Sequence, residues 1–376
     1  MDLPRIISAN ESFHPHEGGA ETRSFETFRR LANKGFEIKI LTNGFTDPPE
    51  IKGLDVEFVT NLDPSQYFKV DSRRLMGALK YSSGVRKRLK EYRDYDIYNF
   101  DEFPLVHALS GIQAIEKKKN TFFTWHEVLR DYYYSRNVFW RKVASWEGLV
   151  YRFIHNHIAV SDTVSNLLKN TYGPSKNVSI INNGVNTSEF LCNNNKEWGQ
   201  IIYVGRIESH KRLDLLIKHV NKHKDLNLKI VGDGSQIRNL RNLVNGNGNI
   251  SITGHIGHEE LVREIKNSWL FVMPSYREGF SIASLEAMAA SVPVMALSGP
   301  YNLAINEVIR DGYNGIVSQD FEDMISKIKQ LYKDEDRWKT LSRNARDFSV
   351  QYDWDTISDK LSDLYLSVVN NEKGPN

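Results

Sequence analysis

The sequence has a single cysteine, Cys192, in 376 residues, which excludes an internal disulfide framework and fits a reducing compartment. It has almost no net charge: 49 basic and 47 acidic side chains leave +2. That gives no global field of the kind a nucleic-acid binder uses, and no nucleic-acid-binding module accompanies the basic residues present. No apolar run reaches the roughly 18 residues that a membrane-spanning helix needs. The amino-terminal MDLPRIISANESFHPHEGG lacks the basic-then-apolar layout of a signal peptide. These absences lead us to expect a cytoplasmic protein, with peripheral contact at the membrane face left open. Short-period repeats are missing too, and low complexity is confined to Asn193 to Asn195. What the chain has is length enough for two hydrophobic cores, since 376 residues exceed the usual single one.

The most informative stretch is FVMPSYREGFSIASLEAMAA, Phe271 to Ala290. An apolar run, Leu270 to Met273, breaks at Pro274 into a polar loop, and Ser281 to Ala290 then carries strong helix formers with Ile282, Leu285 and Met288 on one face. Strand, loop and helix in that order form the unit whose carboxyl end holds ligands in open α/β sheets. Glu278 and Glu286 lie eight positions apart in it, with the backbone amides of Gly279, Phe280, Ser281 and Ile282 between them. Those amides sit at a helix start and favour an anion, whereas the carboxylates suit neutral hydroxyls. A ligand with hydroxyls on either side of a diphosphate is a nucleotide sugar. A solvated Glu278 and a Glu286 with a surface partner are the alternative.

The same alternation runs along the whole chain. Arg5 to Ala9 predicts a first strand, Gly18 and Gly19 stand where it hands over to a helix ending at Gly35, and glycine there lets a ligand approach the backbone. Further strands are expected at Ile38 to Thr42, Val56 to Val59, Asp96 to Asn99, Thr121 to Thr124, His157 to Ser161 and Val178 to Ile181. His126 follows one of them, where a ligand-facing loop would lie. Asn182 to Gln200 is polar enough to be a linker. Beyond it, Ile201 to Val204 predicts a strand, Gly205 to His210 a loop, and Lys211 to Val220 a helix. Arg206 and Lys211 are two cations able to face a diphosphate, with Arg212 a competitor for that role. Two surface stretches stand apart. Residues 71–93 read as a helix with seven Arg or Lys residues between Arg73 and Lys90, and 130–155 interleave aromatics (Tyr132, Tyr133, Tyr134, Trp140, Trp146, Phe153) with cations. Both compositions suit an anionic membrane surface, and both also suit a solvated face.

Taken together, these motifs resemble the retaining GT-B glycosyltransferases of family 4. The likeness rests on HPHEGGAE at 14–21, WHE at 125–127, VSD at 160–162, INNGVNTSEF at 181–190, YVGRIESHKR at 203–212, VGDG at 231–234 and REGFSIASLEAMAASVPV at 277–294, which holds that family's E-x7-E signature. The resemblance implies an α/β GT-B fold of two Rossmann-like domains facing across a cleft. It implies an acceptor-side domain over 1–185, a donor-binding domain over 186–351, and a helix over 352–370 crossing back to the first. It also implies transfer of a sugar from a nucleoside-diphosphate sugar to a hydroxyl of a glycan or lipid-linked acceptor, with retention, no other cofactor and no metal. By that likeness Arg206 and Lys211 hold the diphosphate, Glu286 the ribose and Glu278 the sugar hydroxyls. Gly18, Gly19 and Gly205 admit the donor, and His126 contacts the sugar or the reacting centre. Two departures stand out: Arg212 and Leu213 follow Lys211 where the family commonly has Gly, and the segment from Ser298 lacks a Gly-Gly turn. A nucleotide-sugar epimerase and a noncatalytic nucleotide-sugar-binding scaffold are the other readings these residues allow.

Overall fold

The computed structural model describes the chain apart from residues 1–2, 16–17, 45–49, 63–70, 103, 117, 131–137, 175–176, 192–195, 245–247, 300, 303 and 374–376. Cys192, the asparagine cluster and Tyr132 to Tyr134 therefore lie outside the described residues, as do the side chains of 71–75, 119, 138–140, 142–143, 304, 306 and 372–373. Two compact units emerge, Met1–Asn182 with Asp355–Asn376, and Asn183–Trp354.

In the first unit short apolar runs become parallel strands: β1 (Ile6–Ala9), β2 (Ile38–Asn43), β3 (Leu54–Thr60), β4 (Ile97–Asp101), β5 (Thr121–Trp125), β6 (Asn156–Ala159) and β7 (Asn177–Ile180). Their order across the sheet is β3-β2-β1-β4-β5-β6-β7, and β1, β4, β5 and β6 are buried along their whole length, as a sheet covered on both faces requires. The helices are α1 (Gly19–Asn33), α2 (Asp71–Glu91), α3 (Leu105–Gly111), α4 (Val138–Phe153) and α5 (Asp162–Tyr172). The buried face of α1 is more polar than its sequence suggests. Arg23, Ser24 and Thr27 join Phe28, Leu31 and Ala32 inside, while Phe25 is half-buried and stacks on His14 at 4.2 Å.

The second unit repeats the design with β8 (Gln200–Val204), α6 (Leu213–Val220), β9 (Asn227–Val231), α7 (Ile237–Val244), β10 (Ile250–Gly254), α8 (His258–Asn267), β11 (Leu270–Met273), β12 (Arg277–Glu278), α9 (Ile282–Ala289), β13 (Val294–Leu297), β14 (Tyr301–Asn302), α10 (Ala304–Glu307), β15 (Gly315–Ser318), α11 (Phe321–Tyr332) and α12 (Glu335–Ser349). The main sheet runs β10-β9-β8-β11-β13-β15, and β12 pairs with β14 alone. One core joins Leu216 and Ile217 on α6, Ile201, Val272 and Met295 on the strands, and Met324 and Ile328 on α11.

The polar stretch after Asn182 is not a free linker. Val185 and Phe190 are buried in the second unit, and Val185 exchanges backbone hydrogen bonds with the returning chain, accepting from Trp354 (3.1 Å) and donating to Tyr352 (2.9 Å). A Cβ on Gly184 would stand 2.6 Å from the buried Trp354 ring. From there α13 (Trp354–Lys373) joins the first unit. Asp355 meets Arg30 at 2.5 Å, Asp359 pairs with Lys34, and Tyr365 packs edge-on against Phe122 with centroids 4.9 Å apart.

Glycine is required where the loops after β8 and β9 touch. Gly205 has φ +148° and Gly232 φ +135°, and a Cβ on Gly232 would lie 2.0 Å from the Gly205 carbonyl oxygen. Gly232→Ala should therefore lower unfolding stability by at least about 1–3 kcal/mol, from backbone strain alone. Urea unfolding checks this; a wild-type midpoint would show that the loops have room to separate.

Candidate functional site

In both sheets the strand order reverses once, between β1 and β4 and between β8 and β11. Neighbouring strands there send their following loops to opposite sides, opening a crevice at the carboxyl ends. In the second unit the two loops concerned are Gly205 to Arg212 and Pro274 to Ser281, the stretches that carry Arg206, Lys211 and Glu278.

Lys211 does not begin a helix. Ser209–Lys211 is a 3-10 turn, Arg212 takes a left-handed backbone (φ 55°), and α6 starts only at Leu213. This corrects the expected helix over Lys211 to Val220. The cause is the reversal at Arg212, a conformation that glycine adopts at less cost. The turn also separates the two competing cations. The Arg212 guanidinium lies over the Phe321 ring, 4.9 Å from its centroid, whereas the Lys211 ammonium is paired with the Glu278 carboxylate. Lys211 and Glu278 retain only 14% and 17% side-chain exposure. Arg206 is exposed, and its carbonyl accepts the buried Tyr203 hydroxyl at 3.1 Å.

Glu278 is held by more than its cation. The β12–β14 pairing sets Glu278 beside Asn302, and the Asn302 amide donates to the carbonyls of Ser275 (3.2 Å) and Leu297 (3.0 Å). The Tyr276 amide donates to the His210 carbonyl at 2.8 Å, tying this loop to the one bearing Lys211. Burial pushes the Glu278 carboxyl up, but Lys211, His210 and Ser275 together more than offset it, leaving the group below the ordinary carboxylate value. Burial, with Lys211 and Arg277 nearby, pushes His210 down to about 4. The imidazole beside the pair is accordingly neutral at physiological pH.

Gly279 and Phe280 lead into α9, whose cap is Ser281. Its hydroxyl accepts from the Ser284 amide (3.3 Å) and from the Ser284 hydroxyl (2.8 Å). The amides of 279–282 thus gather at the start of a helix. The Phe280 ring itself is buried toward Tyr352, centroids 5.9 Å apart, so only its backbone is available to a ligand. Ile282 is buried, and Glu286 lies half-buried one turn into α9. A carboxylate, an ammonium and a helix start arranged this way can hold hydroxyls and an anion side by side.

Residues 17–189 match Glycosyltransferase Family 4, and residues 190–348 match Glycosyl transferases group 1. The chain belongs to this glycosyltransferase family. It is similar to an uncharacterised glycosyltransferase of Methanocaldococcus jannaschii, 33% identical over 198 residues, which cover 51% of this chain and 55% of that protein. The chain thus spans about half the length of that relative. In fold it is similar to a sucrose-phosphate synthase from Thermosynechococcus elongatus (TM-score 0.81, 18% identity, 98% of this chain and 100% of that one). It is similar also to Anabaena HepE solved in complex with UDP (TM-score 0.75, 19% identity, 96% and 100%). Its two parallel-sheet units are those of a GT-B glycosyltransferase.

In the first unit of this family member the reversal point is occupied by a polar cluster. Gly18 is extended and precedes α1, which opens at Gly19. Asn10, just past β1, donates to Ser24 at 2.9 Å and to Asp101 at 3.2 Å. His126 lies beyond β5 with Nε2 2.6 Å from Asp101. The Glu102 carboxylate accepts the amides of His126 and Glu127 at 2.5 and 2.9 Å. Burial pushes Glu102 well up, assisted by Glu127 and Glu147; burial likewise lifts Glu147 to about 7. Arg23, also buried, donates to the Asn182 carbonyl at 2.7 Å and is brought down to about 10 by burial. Sequence reasoning named His126 and passed over Asn10, Arg23 and Asp101. The usable signal was position: each polar residue closes a strand or faces inward from α1 at the reversal of strand order.

The titration of Glu278 in the second unit has a definite direction. Glu278 is depressed in the folded protein, so its contribution to stability is present above the ordinary carboxylate pKa and is lost as pH falls through the folded value. Lys211→Met removes the strongest influence opposing burial and leaves only His210 and Ser275 against it. Carbon-13 NMR of the Glu278 carboxyl should then show its titration midpoint moved upward; an unmoved midpoint would mean that Lys211 does not set it.

Proposed function

We propose that this chain is a retaining hexosyltransferase that moves a sugar from a nucleoside-diphosphate sugar to a glycan or lipid-linked acceptor hydroxyl. The observation that carries the reading is the Lys211–Glu278 pair beside the start of α9. One group suits the diphosphate and the other the sugar hydroxyls, within hydrogen-bonding reach of each other. Lys211, Arg206 and the amides of 279–282 receive the departing diphosphate, where charge grows as the glycosidic bond breaks. Glu286 takes the ribose and Glu278 the sugar, while Gly18, Gly19 and Gly205 allow close approach and His126 meets the transferred sugar. The positive charge comes from these side chains, without a resident metal. Support for the donor class comes from HepE, which was solved with UDP and with UDP-glucose. Support for a lipid-linked acceptor comes from the Campylobacter jejuni diphospho-undecaprenol N-acetylgalactosaminyltransferase, 24% identical over 299 residues.

The proposed acceptor gives the surface of α2 a role. Its exposed positions Met76, Leu79, Lys80, Ser83, Arg86, Lys87 and Lys90 recur every three or four residues and so share one face. Met76 and Leu79 are 60% and 49% exposed. Arg88 faces elsewhere, bound to Glu57 at 2.5 Å and to Glu91 at 2.8 Å. On α4, Leu149 and Phe153 are exposed as well. Apolar side chains among cations suit the headgroup region of an anionic bilayer. Among the described residues no helix is long and apolar enough to cross a membrane, so contact through these helices would be at the surface.

A thermal-shift screen against UDP-, GDP- and ADP-sugars tests the donor site, since a ligand of the folded state raises its melting temperature. One nucleotide class should shift it; silence across all three, with folded protein, would favour a scaffold. Glu286→Ala should weaken donor binding, and Arg206→Ala should lower turnover more than affinity. Wild-type kinetics in both would remove these residues from the site. An epimerase would convert the donor without releasing nucleoside diphosphate when acceptor is added. Lys80, Arg86 and Lys87 changed together to Ser should reduce sedimentation with phosphatidylglycerol vesicles and leave donor binding intact. Undiminished sedimentation would make this a solvated face.

A further inference from the structure

The second unit carries an aromatic cluster at the end of its sheet opposite Lys211 and Glu278. Trp198 stands two residues before β8 and Trp269 one residue before β11, and the two strands run parallel, so both rings lie at amino ends. Tyr332, the last residue of α11, and Trp338 in α12 complete the group. The Trp198 ring meets Trp269 at 5.5 Å, Trp338 at 5.3 Å and Tyr332 at 6.1 Å, with interplanar angles of 56°, 67° and 49°. None of the three lies flat on the indole. Trp269 and Trp338 are buried, and the Trp338 indole N–H donates to the Trp269 carbonyl at 2.9 Å. Trp198 and Tyr332 stay 39% and 47% exposed.

Both exposed rings are held in place. The Glu197 amide donates to the Asn267 carbonyl at 2.7 Å and the Gln200 amide to the Glu197 carbonyl at 2.9 Å, which fixes the chain on either side of Trp198. Gly199 has φ +85°, and a Cβ there would stand 2.8 Å from the Tyr332 ring, so the bare turn lets Tyr332 lie against it. Rings ordered in advance lose little entropy when a ligand covers them. Two part-exposed rings offer roughly 200 Å². Each side of a stable protein pair buries about 800 Å², so the patch is too small to hold a second protein by itself. Residues 333–337, which lead from Tyr332 to Trp338, are all exposed and carry two cations and three carboxylates. That mixture gives a phosphate or an anionic lipid no attracting field, yet it offers donors and acceptors beside the rings.

A pyranose matches this surface. Its C–H bonds meet the negative face of an aromatic ring, and its hydroxyls reach polar groups at the rim. We propose that Trp198 and Tyr332 form a surface platform, separate from the donor crevice, that binds neutral pyranose units of a glycan chain. Membership of a glycosyltransferase family favours a glycan as the occupant; the platform does not depend on which sugar nucleotide is the donor.

Native electrophoresis of the full chain in gels containing dextran, glycogen or galactomannan tests the platform. At least one polysaccharide should retard the protein. Trp198→Ala and Tyr332→Ala should each weaken that binding roughly tenfold, whereas Trp198→Tyr, which keeps a ring, should retain most of it. Thermal shifts with UDP-, GDP- and ADP-sugars should match wild type in all three variants, so that loss of glycan binding is read apart from any failure of the donor site. If Trp198→Ala does not fold, Tyr332→Ala, which trims a half-exposed ring, decides. Free migration in all three gels, or retardation untouched by removing either ring, would overturn the proposal. A wild-type dimer in sedimentation that both alanine variants split would make the patch a contact between copies and overturn it as well.

Discussion

A parallel sheet whose strand order reverses must leave a crevice at the reversal, and the polar chemistry of this chain is gathered at two such places. Everything distinctive about the second unit follows from placing Lys211 and Glu278 there, away from water and against each other. Separating a pair of this kind leaves an uncompensated buried charge, commonly a cost of about 3–5 kcal/mol. The surrounding details serve that pairing: the reversed backbone at Arg212, the β12–β14 ladder, and the Asn302 amide reaching two carbonyls. The glycines after β8 and β9 let the loop bearing the cation lie flat against its neighbour.

The two crevices solve different electrostatic problems. In the second unit opposite charges neutralise one another, and the adjacent His210 is kept uncharged by burial and by the cations around it. In the first unit a carboxylate, Asp101, is stabilised by neutral donors, by His126 and by the buried Arg23, so that burial does not prevent its ionisation. The nearby Glu102 is driven the other way by burial, and its carboxylate neighbours add to the effect.

Much of the architecture was legible in the residues. The expected strands fall within two or three residues of the observed ones, because fully buried parallel strands read as short apolar runs between polar loops. The helix from Ile282 was likewise evident in Ser281 to Ala290, although its Ser281 cap was not. Other features were hidden by their nature. Nothing in the order HKRL shows that Arg212 reverses the backbone and turns toward Phe321 while Lys211 turns to Glu278. The two-residue ladder of β12 and β14 is too short for any periodicity. Arg23 breaks the rule that a charged residue marks a helix's outer face, and the start of the polar stretch after Asn182 packs because Val185 and Phe190, spaced within it, are buried.

The return of the chain at Trp354 has a consequence for biosynthesis. Because α13 belongs with Met1–Asn182, the second unit is in effect an insertion within the first, and the surface formed by Arg30, Lys34 and Phe122 waits for a partner encoded more than two hundred residues later. On the ribosome the second unit can close as soon as its own residues emerge, whereas the first stays incomplete until the final helix is free. A chain released early would therefore carry a finished second unit and an open first one, with an apolar groove exposed to chaperones and proteases.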